Sequence, residues 1–288
     1  MPGEVAKAHI ARLHFEHGLT KQEIAQRLSI SRFKVARLLD QARAEGIVRI
    51  EIRDPVEVDS DLSRALEDAY GLDLAVVVRR AQAIPQATAA WLPELMHPGD
   101  TLGIAWGTTL QQVAAALPSR PAGDLDVVQI CGAIPGLVPG TGPTELALRF
   151  AERLGGRLHS LPAPAVASRS ARDELLENEV IRPTIELFDE VDIALVGIGV
   201  ASELAGAPDD AAGYVLVHVF DGHGGPLGAA LTDHAISMSR ARLSATRVLA
   251  AAGGPTKHDA VLGALRSGLI NTLVTDAPTA RHALKAGP

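Results

Sequence analysis

Apolar residues fall at helical spacing from the start of the chain. Ile10, Leu13 and Phe15, with Ala6 and Ala11 beside them, mark a first helix over 6–16 that Gly18 ends. Thr20 opens a second helix. With Glu23 three residues on it makes a capping box, and Ile24, Ala25 and Leu28 form one apolar face. Ser29-Ile30-Ser31 interrupts the pattern, and Ser31 is suited to cap a third helix. That helix turns Val35, Leu38 and Leu39 inward and leaves Arg32, Lys34, Arg37 and Arg43 outside. Beyond Gly46 the period shortens: 47–52 alternates apolar with charged residues, as a short wing strand does. Asp54-Pro55 then marks a domain boundary, because proline disfavours helix in the residue before it. Residues 59–70 read as a linking helix with an acidic start.

From Leu72 onward, short apolar runs alternate with longer helical stretches. The runs predict strands at 74–78, 101–105, 126–131, 192–197, 214–220, 247–252 and 271–275. Helices are expected at 85–96, 108–117, 143–154, 174–188, 255–266 and 278–284. This grammar implies an α/β fold with a mostly parallel sheet covered on both faces. The run at 214–220 is a candidate antiparallel strand, since the turn-forming residues 221–226 follow it. The expected domains are 1–53, a linker helix at 54–71, and 72–288.

Charge changes the picture. Residues 1–53 carry a net +4 and the remainder −11, within a total of −7. A basic head on an acidic body is what a phosphate-binding module joined to another domain looks like. A short helix, a tight turn and a basic second helix make a helix-turn-helix, so double-stranded DNA is the expected partner. Thr20, Ser31, Arg32, Phe33, Lys34, Arg37 and Arg43 are the candidate DNA-facing residues. Arg32 and Lys34 are placed for bases or phosphates, Arg37 and Arg43 for phosphates. The remaining composition is that of a globular protein, 47% hydrophobic and 21% charged. At 3% aromatic residues, base stacking on exposed rings is disfavoured. The one cysteine, Cys131, permits no internal disulfide and no metal-ligand spacing, and the histidines show no paired motif. No metal and no cofactor are expected. No apolar run reaches the roughly 18 residues of a membrane helix, so no membrane partner and a cytoplasmic location are expected.

In open α/β sheets, ligands bind beyond the carboxyl ends of strands. Three such junctions carry chemistry for an anion. In the first, Gly107 allows a close turn, and Thr108, Thr109 and Leu110 offer hydroxyls and amides at a helix start, although Thr108 could simply cap that helix. The second is Gly197-Ile198-Gly199, where a G-x-G alone is a weak signal and a plain turn is the alternative. Ser202 and Glu203 follow it and could add polar contacts to that wall of the pocket. The third is Gly253-Gly254-Pro255-Thr256-Lys257. Lys257 is the one lysine between Lys34 and Lys285, and an ammonium on a flexible stem meets a phosphate as a point charge. Cys131 and Gly132 close another strand and are candidates for the same pocket, or else small buried residues. Asp221 would fix a sugar hydroxyl or satisfy a turn. Two readings from other classes stand beside a ligand-controlled DNA binder. One is an enzyme on a sugar phosphate, for which no acid–base pair is evident. The other is a redox switch at Cys131, which needs an exposed thiol of low pKa.

Together these residues resemble the SorC family of bacterial sugar-responsive transcriptional regulators. The likeness runs nearly end to end, through GLTKQEIAQRLSISRFKVARLLDQARAEGIVRIEI, GDTLGIAWGTTL, DIALVGIG and AAGGPTKHDAVLGALRSGLINTLVTDAPTA. The resemblance implies a homotetramer controlled by a sugar or sugar-phosphate effector. It also implies an effector-binding and oligomerisation domain with the fold of sugar-phosphate isomerases and glucosamine-phosphate deaminases, and no need for catalysis. By match of motif, Gly107, Thr108, Thr109 and Lys257 would hold the phosphate end. The region after Gly132, the 197–199 turn and Asp221 would face the sugar. One stretch departs. Family members often carry something like G-D-x-x-G-R-F-F-D where this chain has residues 213–221. Tyr214, Val217 and His218 stand in place of the acid, the glycine and the arginine, and Cys131 stands where a polar residue is common. That departure points to an altered or non-phosphorylated ligand.

Overall fold

Caps and one small apolar cluster explain how the N-terminal helices fold. The computed structural model describes residues 2–49, 56–119, 124–134 and 139–288, and the chain divides into two units, residues 1–55 and 56–288. In the first unit, α1 (Pro2–Phe15), α2 (Lys21–Leu28) and α3 (Arg32–Ala44) follow one another closely. The Glu23 amide donates to Thr20 Oγ1 at 3.2 Å, and the Thr20 amide donates to the Glu23 carboxylate at 2.7 Å. The bond from the Thr20 amide, with one from the Thr20 hydroxyl to the same carboxylate at 2.8 Å, holds the Glu23 carboxyl below its ordinary range. Ser29, in the left-handed region at φ 52°, closes α2, and the Lys34 amide donates to Ser31 Oγ at 3.1 Å to open α3. Ile10, Leu13, Ile24, Val35 and Leu39 meet in one buried core. Of the expected wing, Ile47 and Val48 form a bend, and the Val48 amide donates to Ala42 O at 3.0 Å. Residues 50–52 and the Asp54-Pro55 boundary lie outside the described residues.

The second unit opens with α4 (Ser60–Tyr70), β1 (Leu74–Val78), α5 (Ile84–Leu95), β2 (Thr101–Ile104), α6 (Thr108–Ala116) and β3 (Asp126–Gln129). It continues through α7 (Pro143–Leu154), β4 (Arg157–His159), α8 (Arg169–Leu176), α9 (Arg182–Glu186), β5 (Ile193–Gly197), β6 (Gly199–Val200), β7 (Gly213–Val215) and β8 (His218–Phe220). It closes with β9 (Pro226–Leu227), α10 (Ala229–Asp233), α11 (Arg240–Ser244), β10 (Arg247–Ala251), α12 (His258–Arg266), β11 (Thr272–Asp276) and α13 (Ala277–Ala286). Seven strands form one parallel sheet in the order β1-β11-β10-β5-β2-β3-β4. Successive strand residues point to opposite faces, yet Val76, Val77 and Val78, like Ala194, Leu195 and Val196, are all buried. Both faces are therefore covered. From β2 the chain winds outward through β3 and β4, and from β5 it winds the other way through β10 and β11. The winding reverses between β2 and β5, the place where open α/β sheets form a crevice.

Several elements differ from the sequence reading. The expected helix at 174–188 is broken into α8, α9 and a short turn, because Pro183 starts a new helix and cannot continue an old one. The run at 214–220 is two strands, β7 and β8, joined by a two-residue turn at Leu216-Val217. They belong to a separate four-stranded antiparallel sheet, β6-β7-β8-β9. Leu216 takes φ 53° there, a conformation that costs a leucine about 1–2 kcal/mol. The turn lacks the Gly or Asn that normally announces a hairpin, so the run reads as one buried strand. The helix expected to link the domains is α4. It packs on β1 and α13 inside the second unit, and Asp59 caps it by accepting from the Leu62 amide at 3.1 Å.

Candidate DNA-facing helix and ligand cleft

Helix α3 is two-faced. Val35, Leu39 and Ala42 are buried, whereas Arg32, Phe33, Lys34, Arg37 and Arg43 are exposed. Phe33 is 83% exposed at the first turn, where an apolar ring needs some reason to face water. The Arg43 guanidinium carbon sits 5.3 Å from the Phe15 ring centroid, a cation–π distance, so part of its role lies within the unit. The hydroxyls of Thr20 and Ser31 are both occupied as caps. The face that remains outward is cationic and begins at the helix N-terminus, the end that a recognition helix presents to base edges.

In the second unit, a cavity of about 350 Å³ opens beyond the carboxyl ends of β2 and β5. Gly107, at φ 128°, makes the turn from β2 into α6, in a conformation that L side chains rarely adopt. As N-cap it has no side chain to cap the helix, so the first amides of α6 are left to the cavity. Thr108, Thr109 and Leu110 line it beside those amides, with Gly197 and Gly199 across from them at the end of β5. Lys257 enters from the β10–α12 turn. Its ammonium donates to Ile198 O at 2.8 Å and lies 3.8 Å from a Glu203 carboxylate oxygen. Tyr214 packs in from β7. Its ring stacks on Trp106 with centroids 6.3 Å apart and lies so close to Gly199 that a Cβ there would come within 2.0 Å of Tyr214 Cζ. Burial, and then the charge of Glu203, push the Tyr214 hydroxyl up to about 12. Open amides, two threonines and an ammonium suit the hydroxyls of a sugar or a compact anion.

The cavity thus brings together Gly107, Thr108, Thr109, Leu110, Gly197, Gly199 and Lys257 from three separate junctions. Five other candidates lie away from its lining. Cys131 is fully buried, and burial pushes its thiol up to about 12, which also removes the basis for a redox switch. Gly132 is a packing glycine: a Cβ would meet the Pro164 backbone at 2.4 Å. A Cβ on Gly253 would meet Ile84 Cδ1 at 2.6 Å and Asp276 Oδ1 at 2.8 Å, while the Gly254 amide donates to that same carboxylate at 3.3 Å. Asp221 accepts from the amides of His223 and Gly225 at 2.8 and 2.9 Å and holds the β8–β9 turn. Conversely, Trp106, Thr141, Tyr214 and Leu216 line the cavity without having been candidates, and Glu203, expected as a polar contact beside the 197–199 turn, lines it as well. Trp106 was within the quoted motif, and Glu203 follows the G-x-G turn closely. Thr141 and Leu216 carry no local signal. Among the described residues, no group of three His, Cys, Asp or Glu side chains is placed to hold a metal, and no helix is long and apolar enough to cross a membrane.

Capped N-terminal helices with an exposed cationic face on α3, and an α/β unit with a cavity at its switch point, are the combination found in ligand-responsive DNA-binding regulators. The family model described as "Putative sugar-binding domain" matches residues 54–285. The chain is 30% identical over 295 residues to the deoxyribonucleoside regulator of Bacillus subtilis, covering 94% of each chain. It is 29% identical over 303 residues to the sorbitol operon regulator of Klebsiella pneumoniae, covering 96% of each. The crystal structure of that full-length regulator, SorC, superimposes with a TM-score of 0.74 at 27% identity, over 99% of this chain and all of the other. The chain belongs to this sugar-binding-domain family, the SorC family of bacterial transcriptional regulators.

Proposed function

We propose that this regulator grips operator DNA through α3 and that a sugar-class effector in the β2–β5 cleft sets the strength of that grip. The two-faced α3 carries the DNA half of the reading: buried Val35 and Leu39 fix the helix, and Arg32, Phe33, Lys34 and Arg37 project outward from it. The family's named members support the effector half, since the relatives cited above are regulators of deoxyribonucleoside and sorbitol functions. A single helix-turn-helix is a small contact, so the working form is a homo-oligomer, a tetramer on the family's pattern, that spans paired half-sites. The protein acts by binding and not by turnover. Lys257 is engaged in a bond to a carbonyl, and burial holds the Tyr214 proton to about pH 12, so Tyr214 is no base near neutrality. Its place of work is the compartment that holds the DNA, the cytoplasm.

The test begins by selecting an operator from a random duplex pool. Fluorescence anisotropy then compares parent and Arg32→Ala on that operator and on unrelated DNA. Loss of about 1–3 kcal/mol confined to the selected site supports base reading by Arg32. Equal binding by parent and variant on both duplexes refutes it. A thermal-shift screen of sugars and sugar phosphates, repeated on Lys257→Ala, tests the cleft, because ligand bound to the folded state raises apparent stability.

A further inference from the structure

A second cavity, of about 330 Å³, lies against the first, and Trp106, Glu203 and Tyr214 line both. The two differ in chemistry. The first is lined by Gly107 and the α6 start, by threonine hydroxyls and by the Lys257 ammonium. Beyond the three shared residues, the described residues lining the second are apolar, Ala133, Ile134, Pro164, Leu204 and Leu231 among them. The Tyr214 ring, seated over Gly199 and stacked on Trp106, stands where the two meet. Among the described residues that line either cavity, the charged side chains are Lys257 and Glu203, 3.8 Å apart, so their charges offset. A phosphate dianion placed there would meet an ammonium already donating to Ile198 O, with a carboxylate beside it. An uncharged hydroxylated ring would instead find donors and an acceptor together. The apolar chamber offers a plain sugar nothing, because hydroxyls moved into it lose their water partners without replacement.

We infer that the effector is an uncharged two-part molecule, a sugar ring bearing an apolar aryl or alkyl group, with the ring beside Thr108, Thr109 and Lys257 and the apolar group beyond Tyr214. This rests on the reading of the first cavity as the effector site. Each cavity lies at the small end of the usual ligand-pocket range, and the apolar one supplies the burial that drives most small-molecule affinity.

The experiment is a set of matched titrations by thermal shift and calorimetry on the full chain. Phenyl glycosides of the common hexoses and pentoses are compared with each free sugar and its phosphate. At least one phenyl glycoside is expected to bind ten times more tightly than both its free sugar and its sugar phosphate. Ala205→Glu, a change at an exposed residue lining the apolar chamber, should erase that preference while leaving free-sugar binding within twofold. A free sugar or sugar phosphate that binds as tightly as its phenyl glycoside, or a panel in which no phenyl glycoside binds, overturns the inference. Lys257→Ala separates this failure from failure of the cleft reading. Hits of any kind that Lys257→Ala abolishes keep the first cavity as the effector site, and hits it leaves unchanged reject that site as well.

Discussion

Helix α3 and the β2–β5 cleft make opposite use of their polar side chains. On α3, Arg32, Lys34 and Arg37 are exposed, and the apolar face beneath them does the structural work. In the cleft, Lys257 is bonded to Ile198 O and stands beside Glu203, and Tyr214 is packed on Trp106 and Gly199. The difference is the one that the two proposed targets would require. A DNA duplex brings dense negative charge, so an outward cation gains by releasing counterions from it. A small ligand brings little area, and a site for it must be held in shape before it arrives. Hence substitutions on α3 should act on binding with little effect on folding, whereas substitutions around the cleft should move both.

The largest expected effect tests whether each region stands on its own core. Ile24 is fully buried in the small cluster of the first unit. Ile24→Ala should cost that unit about 2–5 kcal/mol and abolish operator binding. Ligand binding, followed by calorimetry, should stay within twofold; a matching loss there would break the comparison. Next comes Leu216→Gly, where two effects compete. Relief of the left-handed backbone is worth about 1–2 kcal/mol. Removing a leucine that is 2% exposed costs more, about 2–5 kcal/mol or above, so urea unfolding should show a net loss. A gain would mean that the turn is under greater strain than its packing repays. Of similar size, but on binding instead of stability, is Lys34→Ala. If Lys34 meets a phosphate, the variant should weaken all duplexes alike and flatten the salt dependence by about one unit of slope.

The smallest effect is a pH dependence. His218 is 5% exposed, and its Nε2 lies 2.8 Å from Met238 O, which as an acceptor makes Nε2 the proton-bearing nitrogen. Burial chiefly, with help from the Arg240 charge, lowers its pKa from 6.5, while the bond to Met238 raises it. Below about pH 6.5 the unfolded chain therefore takes up a proton that the folded chain refuses, and stability falls as pH falls. His218→Gln should lose less stability than the parent between pH 7 and the mildly acid range, as read by paired urea titrations. Parallel curves for the two proteins would remove His218 as a contributor.

Legibility in the sequence followed the range of the interactions. The first unit could be read almost whole, because capping boxes, serine caps and helical apolar spacing are local rules, and Thr20, Glu23 and Ser31 obey them. Six of the seven parallel strands were legible for the same reason, as uninterrupted apolar runs between helices, whereas β4, Arg157–His159, is short and polar and carries no such run. The half of the cleft built at strand–helix turns could also be found, since Gly107 and Lys257 occupy positions where such turns meet ligands. The antiparallel sheet could not. Leu216-Val217 turns without glycine because burial outweighs backbone preference, so YVLVHVF shows no break. Gly132 and Gly253 show no mark of their packing role, because a glycine kept for close packing looks, in sequence, the same as one kept for a close ligand. Tyr214 and Glu203 became parts of one site only through folding, which brings β7 and the turn after β6 onto the end of β2.

Occupancy of the β2–β5 cleft is proposed to change the grip of α3 on DNA. Such control requires that the ligand bind two states of the protein with different affinity. Anisotropy titration of the selected operator, with and without a saturating thermal-shift hit, tests this most directly. Operator affinity should change by about 5–150-fold, the ordinary span of an allosteric coupling, and the change should vanish in Lys257→Ala. An operator affinity that stays the same while calorimetry shows the parent cleft filled would contradict the claim.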